Sequence, residues 1–410
     1  MQPKHLGIYI SNNTHKKVVI NNIISGEYLP ELKYVKGAVF SEITLDRYID
    51  EEIRHGRLVI PSEQNSLKNA SVGERKKALL RHLLSSKLPD YLILDNVLDG
   101  LDVAFQEQVK QLFEHHSNTT RIIQISTRKQ EFFDFIETVF LLENNKLKLL
   151  AREETCQENI TTFTKQLPRP YRADYQYIQP LIQLNNVSVS YLDKPVIKGI
   201  NWEVNTGEFW QLLGPNGSGK STILSLISGD NPKGFLQDMT LFGMKKGSGE
   251  SVWDIKQHIG FYSAELLRGF RKSETIESMI ISGFLDSIGL YKYPTDIQVK
   301  LAQDWLEILG MKHIKHKSFQ FLSNGHKRLV LIARAMVKQP ALLILDEPTN
   351  GLDDFDSRIF SELIHKIAKE TETAIIYVSH REEAHIRPDY IFELVPGVSG
   401  SVGKVVGDNN

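Results

Sequence analysis

Nine consecutive residues, Gly214-Pro215-Asn216-Gly217-Ser218-Gly219-Lys220-Ser221-Thr222, have the composition and order of a loop that wraps phosphate. Glycines let the backbone curl until its N–H groups converge on phosphate oxygens. The helix opening after the loop adds the positive end of its dipole. In that setting Lys220 reaches the β- and γ-phosphates, and the Ser221 hydroxyl ligates Mg2+. A glycine-rich turn can match such a pattern by chance. Here an apolar run, residues 209–213, leads directly into it, which is the context the chemistry needs.

Three further residues fit a phosphate reaction. Asp346 closes an apolar run and is placed to hold the Mg2+ shell; Glu347 follows as the candidate base that polarises an attacking water. The bland alternative is that Asp-Glu-Pro simply caps a strand. His380 ends another apolar run, where an imidazole can contact the γ-phosphate and the water, or be an ordinary polar residue at a strand end. Tyr191, upstream of the loop, offers a ring that can stack on adenine; a plain core or surface aromatic is its alternative.

The elements that must carry these residues are short apolar runs alternating with longer amphipathic stretches. Residues 209–213, 341–345 and 374–378 read as buried parallel strands, and residues 301–309 and 357–369 as helices. That pattern predicts an α/β fold whose ligands bind at the carboxyl ends of the strands.

The chain also repeats itself. Leu342-Leu343-Ile344-Leu345-Asp346, then Gly351-Leu352-Asp353, is answered by Tyr91-Leu92-Ile93-Leu94-Asp95, then Gly100-Leu101-Asp102. Ser323-Asn324-Gly325 matches Ser71-Val72-Gly73, Ser379-His380 matches Ser126-Thr127, and Ile227-Ser228-Gly229 matches Ile24-Ser25-Gly26. Four blocks in one order predict two copies of one module: residues 1–152, a linker 153–180 of limited structure, residues 181–396, and a flexible tail 397–410.

The first copy reads as truncated and disabled. Aligning Ser25-Gly26 on Ser228-Gly229 puts Lys17 on Lys220 and Val18 on Ser221, and removes all three loop glycines. An apolar side chain cannot ligate Mg2+. Asp95 is kept, but Asn96 stands for Glu347 and Thr127 for His380, so the base is gone. The stretch from Lys17 to Ser71 is about 50 residues shorter than its counterpart, more than loops ordinarily vary.

Bulk properties agree with a soluble globular chain: 410 residues, 49 Lys and Arg against 50 Asp and Glu, and one cysteine. Near-zero net charge favours neither nucleic acid nor an anionic membrane, and a lone cysteine suits the cytosol. No apolar run approaches the roughly 20 residues of a membrane span. The expected location is cytoplasmic, with any membrane contact peripheral, at the inner face and through a partner.

Taken together, Gly214 to Thr222, Leu322 to Gly325 with Arg328, Leu343 to Asp353 and Ser379-His380 resemble the Walker A, signature, Walker B, D-loop and H-loop motifs of ATP-binding cassette (ABC) ATPases. Residues 281–309, with Gly283-Phe284-Leu285-Asp286-Ser287-Ile288-Gly289, are similar to tandem-cassette proteins of the molybdate-transport and photorepair type. The resemblance implies two ABC-type P-loop nucleotide-binding domains in tandem, with ATP and Mg2+ as ligands. It implies that cassettes pair head to tail, within one chain or in a homodimer. ATP held at Lys220 would then be completed by Ser71 and Gly73, and the degenerate site would face Ser323 and Gly325. The family's glutamine after the strand at residues 259–262 is replaced by Ser263-Ala264-Glu265, and the signature carries Asn324 and His326 where Gly and Gln are usual. Two partner classes stay open: a membrane permease, which would make the chain the ATP-binding component of a transporter-like system, or a soluble macromolecular target among nucleic acid, ribosomes or repair complexes. The absent glutamine favours the second.

Overall fold

A computed structural model of the chain describes residues 4–55, 60, 66–67, 72–85, 89–101, 103–150, 163–168, 179–263, 266, 274–287, 289–290, 292–381, 383 and 385–408. The chain divides into two compact units: residues 1–159 with 350–355, and residues 160–349 with 356–410.

The first unit is built on strands β1 (Leu6–Tyr9), β2 (Gly37–Phe40), β3 (Tyr91–Asp95), β4 (Arg121–Ser126), β5 (Val139–Glu143) and β6 (Lys146–Leu149), in the spatial order β2-β3-β4-β1-β5-β6. All neighbours are parallel except β5 and β6. That hairpin turns on Asn144 and Asn145, whose φ angles of 48° and 61° are the left-handed values a two-residue turn needs. Helices α1 (Lys16–Ile24), α2 (Glu42–His55), α3 (Val72–Ser85) and α4 (Val103–Ser117) cover the sheet. Side chains along β3 alternate between two cores. Leu92 and Leu94 join Leu79, Leu80, Val109 and Phe113, while Tyr91 and Ile93 join Val19, Ile20 and Ile23 of α1. Burial on both faces is why this strand reads as an unbroken apolar run.

In the second unit, β7 (Ile182–Tyr191), β8 (Lys194–Val204), β10 (Asp238–Leu241) and β11 (Met244–Lys245) make an antiparallel sheet in the order β11-β10-β7-β8. The main sheet is β9 (Phe209–Leu213), β12 (Ile259–Ser263), β13 (Leu342–Asp346), β14 (Ala374–Ser379), β15 (Tyr390–Val395) and β16 (Val402–Asp408), ordered β12-β13-β14-β9-β15-β16. This is the order of the first unit's sheet, position for position. The helices are α5 (Lys220–Ile227), α6 (Val252–Lys256), α7 (Ile276–Ile281), α8 (Asp296–Ile308), α9 (Asn324–Met336) and α10 (Asp354–Glu370). Ser251 and Thr295 start α6 and α8 with capping boxes. Among the described residues, the first unit has no counterpart of the antiparallel sheet.

One sequence expectation needs correction. The tail at 397–410 is not loose throughout: Val402–Asp408 pairs antiparallel with β15. Its Gly and Ser content hid a β-branched edge strand, and Gly403 is there because the Phe392 ring lies where a Cβ would come within 2.2 Å. The described part of the linker, residues 163–168, packs on the second unit. Lys165 pairs with Glu307, and Gln339 donates to the Pro168 carbonyl.

Candidate functional site

The loop from Gly214 to Thr222 joins β9 to α5, as the sequence predicts. Its glycines are needed for different reasons. A Cβ on Gly214 would come within 2.6 Å of Ser218 Oγ; Gly217 and Gly219 have φ of 79° and 97°, and a Cβ on Gly219 would sit 2.5 Å from Ile197 of β8. Only glycine adopts this path without strain. Lys220 is buried, and its Nζ donates to the Gly214 carbonyl at 2.6 Å and the Pro215 carbonyl at 3.0 Å, which holds the ammonium across the loop.

The strand order β13-β14-β9 sets three residue groups side by side at one sheet edge. Asp346 ends β13, Glu347 follows it, and His380 follows β14. Ser263 pairs with Asp346, and Ser379 with Leu213, in the strand register. His380 Nδ1 lies 3.6 Å from Glu347 Oε1. Its Nε2 is buried and has no hydrogen-bond partner among the described residues. Gln211, which sequence reading missed, locks this histidine in place: its Nε2 donates to Ser379 Oγ and the Arg381 carbonyl, on either side of His380. A polar residue inside the apolar run of β9 was the available signal.

Glu347 sits at φ 44°, a left-handed conformation that costs a non-glycine residue energy. Its N–H donates to the Val378 carbonyl at 3.1 Å. Beyond it, Thr349 Oγ1 meets Tyr377 OH and Glu383 Oε1, each at 3.0 Å. Tyr191 ends β7 and is 41% exposed. Its hydroxyl accepts from Asn231 Nδ2, which also donates to Ser225 Oγ of α5, so the ring is tied to the helix after the loop. Lys233 Nζ lies 5.3 Å from the ring centroid.

The donor chemistry fits a magnesium nucleotide. The loop offers backbone N–H groups and an ammonium for phosphate, while Ser221 and Asp346 offer the hard oxygens Mg2+ takes. The unpartnered, buried Ser218 Oγ and His380 Nε2 give that side of the loop further polar capacity. Residues 197–350 match the family described as ABC transporter. The chain is 42% identical over 345 residues to the ABC transporter ATP-binding protein ModF of Escherichia coli, covering 80% of this chain and 70% of that one. The chain belongs to the ABC transporter ATP-binding protein family. An uncharacterized ABC transporter ATP-binding protein of Schizosaccharomyces pombe is 32% identical over 327 residues, covering 78% of this chain and 66% of that one. Among solved structures, cbiO1 of Clostridium perfringens aligns with TM-score 0.46 at 25% identity, covering 57% of this chain and 89% of that one.

Set beside the ABC site, the first unit's counterpart corrects the sequence alignment by one residue. Tyr9 pairs with Ser126 as Leu213 pairs with Ser379. Seven residues after each lies the first residue of a helix, Lys16 in α1 and Lys220 in α5. Lys16, not Lys17, therefore stands for Lys220, and Lys17 rather than Val18 stands for Ser221. Helix α1 has 9 residues against 8 in α5. This extra residue displaces the Ser25-Gly26 anchor that the sequence alignment used. The three glycine positions become Ile10, Asn13 and His15, and His15 has an extended φ of −73° where Gly219 is left-handed.

Asp95 has its own internal cation: Lys16 Nζ lies 3.1 Å from Asp95 Oδ1, whose side chain is 3% exposed. Asn96 and Thr127 fall where the sequence puts them. Asn96 has φ 42°, its N–H bonds the Ile125 carbonyl, and its amide exchanges hydrogen bonds with Thr127 Oγ1 and Thr127 N. An amide–hydroxyl pair thus replaces the carboxylate–imidazole pair. Ser71, Ala264 and Glu265 lie outside the described residues; Gly73 is the second residue of α3. In the second unit Ser323 caps α9 by accepting from His326 N, and Gly325 is demanded by Asp356, whose Oδ1 would lie 2.2 Å from a Cβ.

Proposed function

We propose that this ABC protein hydrolyses ATP at the site built on Gly214 to Thr222, and that the first unit's counterpart is catalytically silent. The observation that carries the reading is the delivery of loop, carboxylates and imidazole by three adjacent parallel strands, with Glu347 and His380 3.6 Å apart. Backbone N–H groups of the loop and the Lys220 ammonium bind the phosphate oxygens, Tyr191 stacks on adenine, and Thr222 continues the cradle into α5. Ser221 and Asp346 would hold Mg2+, which supplies charge neutralisation at the phosphates. Glu347 polarises the attacking water and takes up its proton, and His380 holds the water and the γ-phosphate in line.

The family resemblance adds that Ser71 and Gly73 complete this site. The experiment is Mg2+-dependent ATP hydrolysis by the purified chain beside Glu347→Gln and Ser71→Arg. Turnover lost in both variants supports the whole reading. Turnover lost only in Glu347→Gln rejects the role of Ser71, and turnover kept in Glu347→Gln rejects the base. For the partner, the kinship with ATP-binding proteins of transport systems favours a membrane permease and a cytoplasmic position at the membrane's inner face. No helix among the described residues is long and apolar enough to cross a membrane. A soluble macromolecular target is the second reading, favoured by Ser263-Ala264-Glu265 at the place of the family's glutamine. Co-fractionation with membranes separates the two.

A further inference from the structure

Both units keep a buried cation five residues after the serine of the Ser-X-Gly stretch. In the second unit Arg328 of α9, 5% exposed, donates from Nη1 to the Pro348 carbonyl. In the first, Lys76 of α3, 3% exposed, donates from Nζ to the Asn96 carbonyl at 3.2 Å and the Asp99 carbonyl at 2.5 Å. Each cation thus reaches the turn that leaves the strand carrying Asp346 or Asp95. Each turn opens on a non-glycine residue held left-handed, Glu347 at φ 44° and Asn96 at φ 42°. Such a conformation persists only where the surroundings fix it.

The aromatic on the neighbouring strand changes as well. Tyr262 of β12 pairs with Leu345, and Phe40 of β2 pairs with Leu94, so the two aromatics hold equivalent positions. Burial pushes the Tyr262 phenol up in pKa, and the nearby charge of Arg328 opposes that shift, while the buried hydroxyl has no hydrogen-bond partner among the described residues.

We propose that Arg328 is a positioning residue for Glu347. Its bond to the Pro348 carbonyl fixes the second peptide after Glu347, holds the turn that carries the left-handed backbone, and so aims the carboxylate at His380 and the water. This rests on reading Glu347 as the base. The first unit, which has lost the base, keeps a cation on the same turn, although Lys76 holds the Asn96 and Asp99 carbonyls, the counterparts of Glu347 and Asn350, where Arg328 holds Pro348; a buried cation there belongs to the turn itself.

The test measures kcat, KM and ATP affinity of the full chain for Arg328→Met, Arg328→Lys, Arg328→Lys with Tyr262→Phe, and Glu347→Gln, with thermal unfolding of each. The expected result is a kcat loss of about tenfold or more in Arg328→Met at unchanged ATP affinity. Arg328→Lys recovers most of the turnover, with Tyr262 kept or replaced by Phe. If Arg328→Met fails to fold, the lysine variants decide. A lysine variant as slow as Glu347→Gln, or Arg328→Met with wild-type kcat, overturns the proposal. Turnover retained in Glu347→Gln overturns instead the reading of the base on which it stands.

Discussion

Replacing Lys16 with Met should damage the first unit through charge, although Lys16 makes no part of the catalytic site. The Asp95 side chain is 3% exposed and that of Lys16 is 31% exposed, with 3.1 Å between them. Removing one partner of a fully buried pair costs about 3–5 kcal/mol, because a charge is left without water or counterion. Lys16 opens onto solvent on one side, which brings the expected cost to about 2–3 kcal/mol. At about 2–4 °C per kcal/mol for a unit of this size, the first unit's unfolding midpoint should fall by roughly 4–12 °C. Asp95→Asn in the Lys16→Met background removes the orphaned charge and should return much of that loss. The assay is calorimetric unfolding of wild type, both single variants and the double variant, read as a double-mutant cycle. A coupling energy of about 2 kcal/mol is expected. Single effects that add to within about 0.5 kcal/mol would show that Lys16 does not serve as the counterion of Asp95, and the structural account of a self-neutralised first site would fall.

The remaining predictions concern the second unit. Burial alone would raise the pKa of Glu250, but the Gly247 N–H and the buried Lys246 ammonium outweigh it and hold the carboxyl near about 2. A folded pKa below the unfolded one means stability that is full above about pH 4.5 and is lost as pH falls towards 2; acid titration of wild type against Lys246→Met should show less of this acid loss in the variant. Gly219→Ala puts a methyl 2.5 Å from Ile197 Cγ2 at a φ of 97°, and should weaken ATP binding by roughly tenfold or more by forcing the loop open; unchanged affinity in equilibrium titration counts against the loop's proposed role. Gly325→Ala drives a methyl into the Asp356 carboxylate and should cost about 1–3 kcal/mol in denaturant unfolding, the usual range for overpacking; no cost would mean that Asp356 moves aside freely.

How far the sequence disclosed this structure depends on how local each signal is. The runs at 209–213 and 374–378 are found as β9 and β14 because a strand buried on both faces must be apolar at every position. The loop glycines, Asp346, Glu347 and His380 stand out because their types and spacing are local signals, and the strand order brings them to the same ends of adjacent strands; their part in phosphate chemistry is the proposal. The correspondence of Asn96 with Glu347 and Thr127 with His380 held because both flank strands of unchanged length. Lys16 escaped because one extra helical residue in α1 shifted an anchor eight residues downstream, and only strand register restores the alignment. Arg328 and Lys76 act through contacts with distant carbonyls, which no spacing rule reveals. Strand β16 was missed because Gly403, there to admit Phe392, made its sequence resemble a loose tail.

We extend the proposal from catalysis to binding: with Lys16 engaged by Asp95, the first unit should hold no ATP, and the stoichiometry of ATP binding tests this most directly. Equilibrium binding of radiolabelled ATP with Mg2+ would be measured for wild type, Glu347→Gln and Lys220→Ala. The account predicts one nucleotide per chain for wild type and Glu347→Gln, and none for Lys220→Ala at the same concentrations. Two nucleotides per chain, or one remaining in Lys220→Ala, would contradict it, because the first unit would then bind nucleotide despite the Lys16–Asp95 pair.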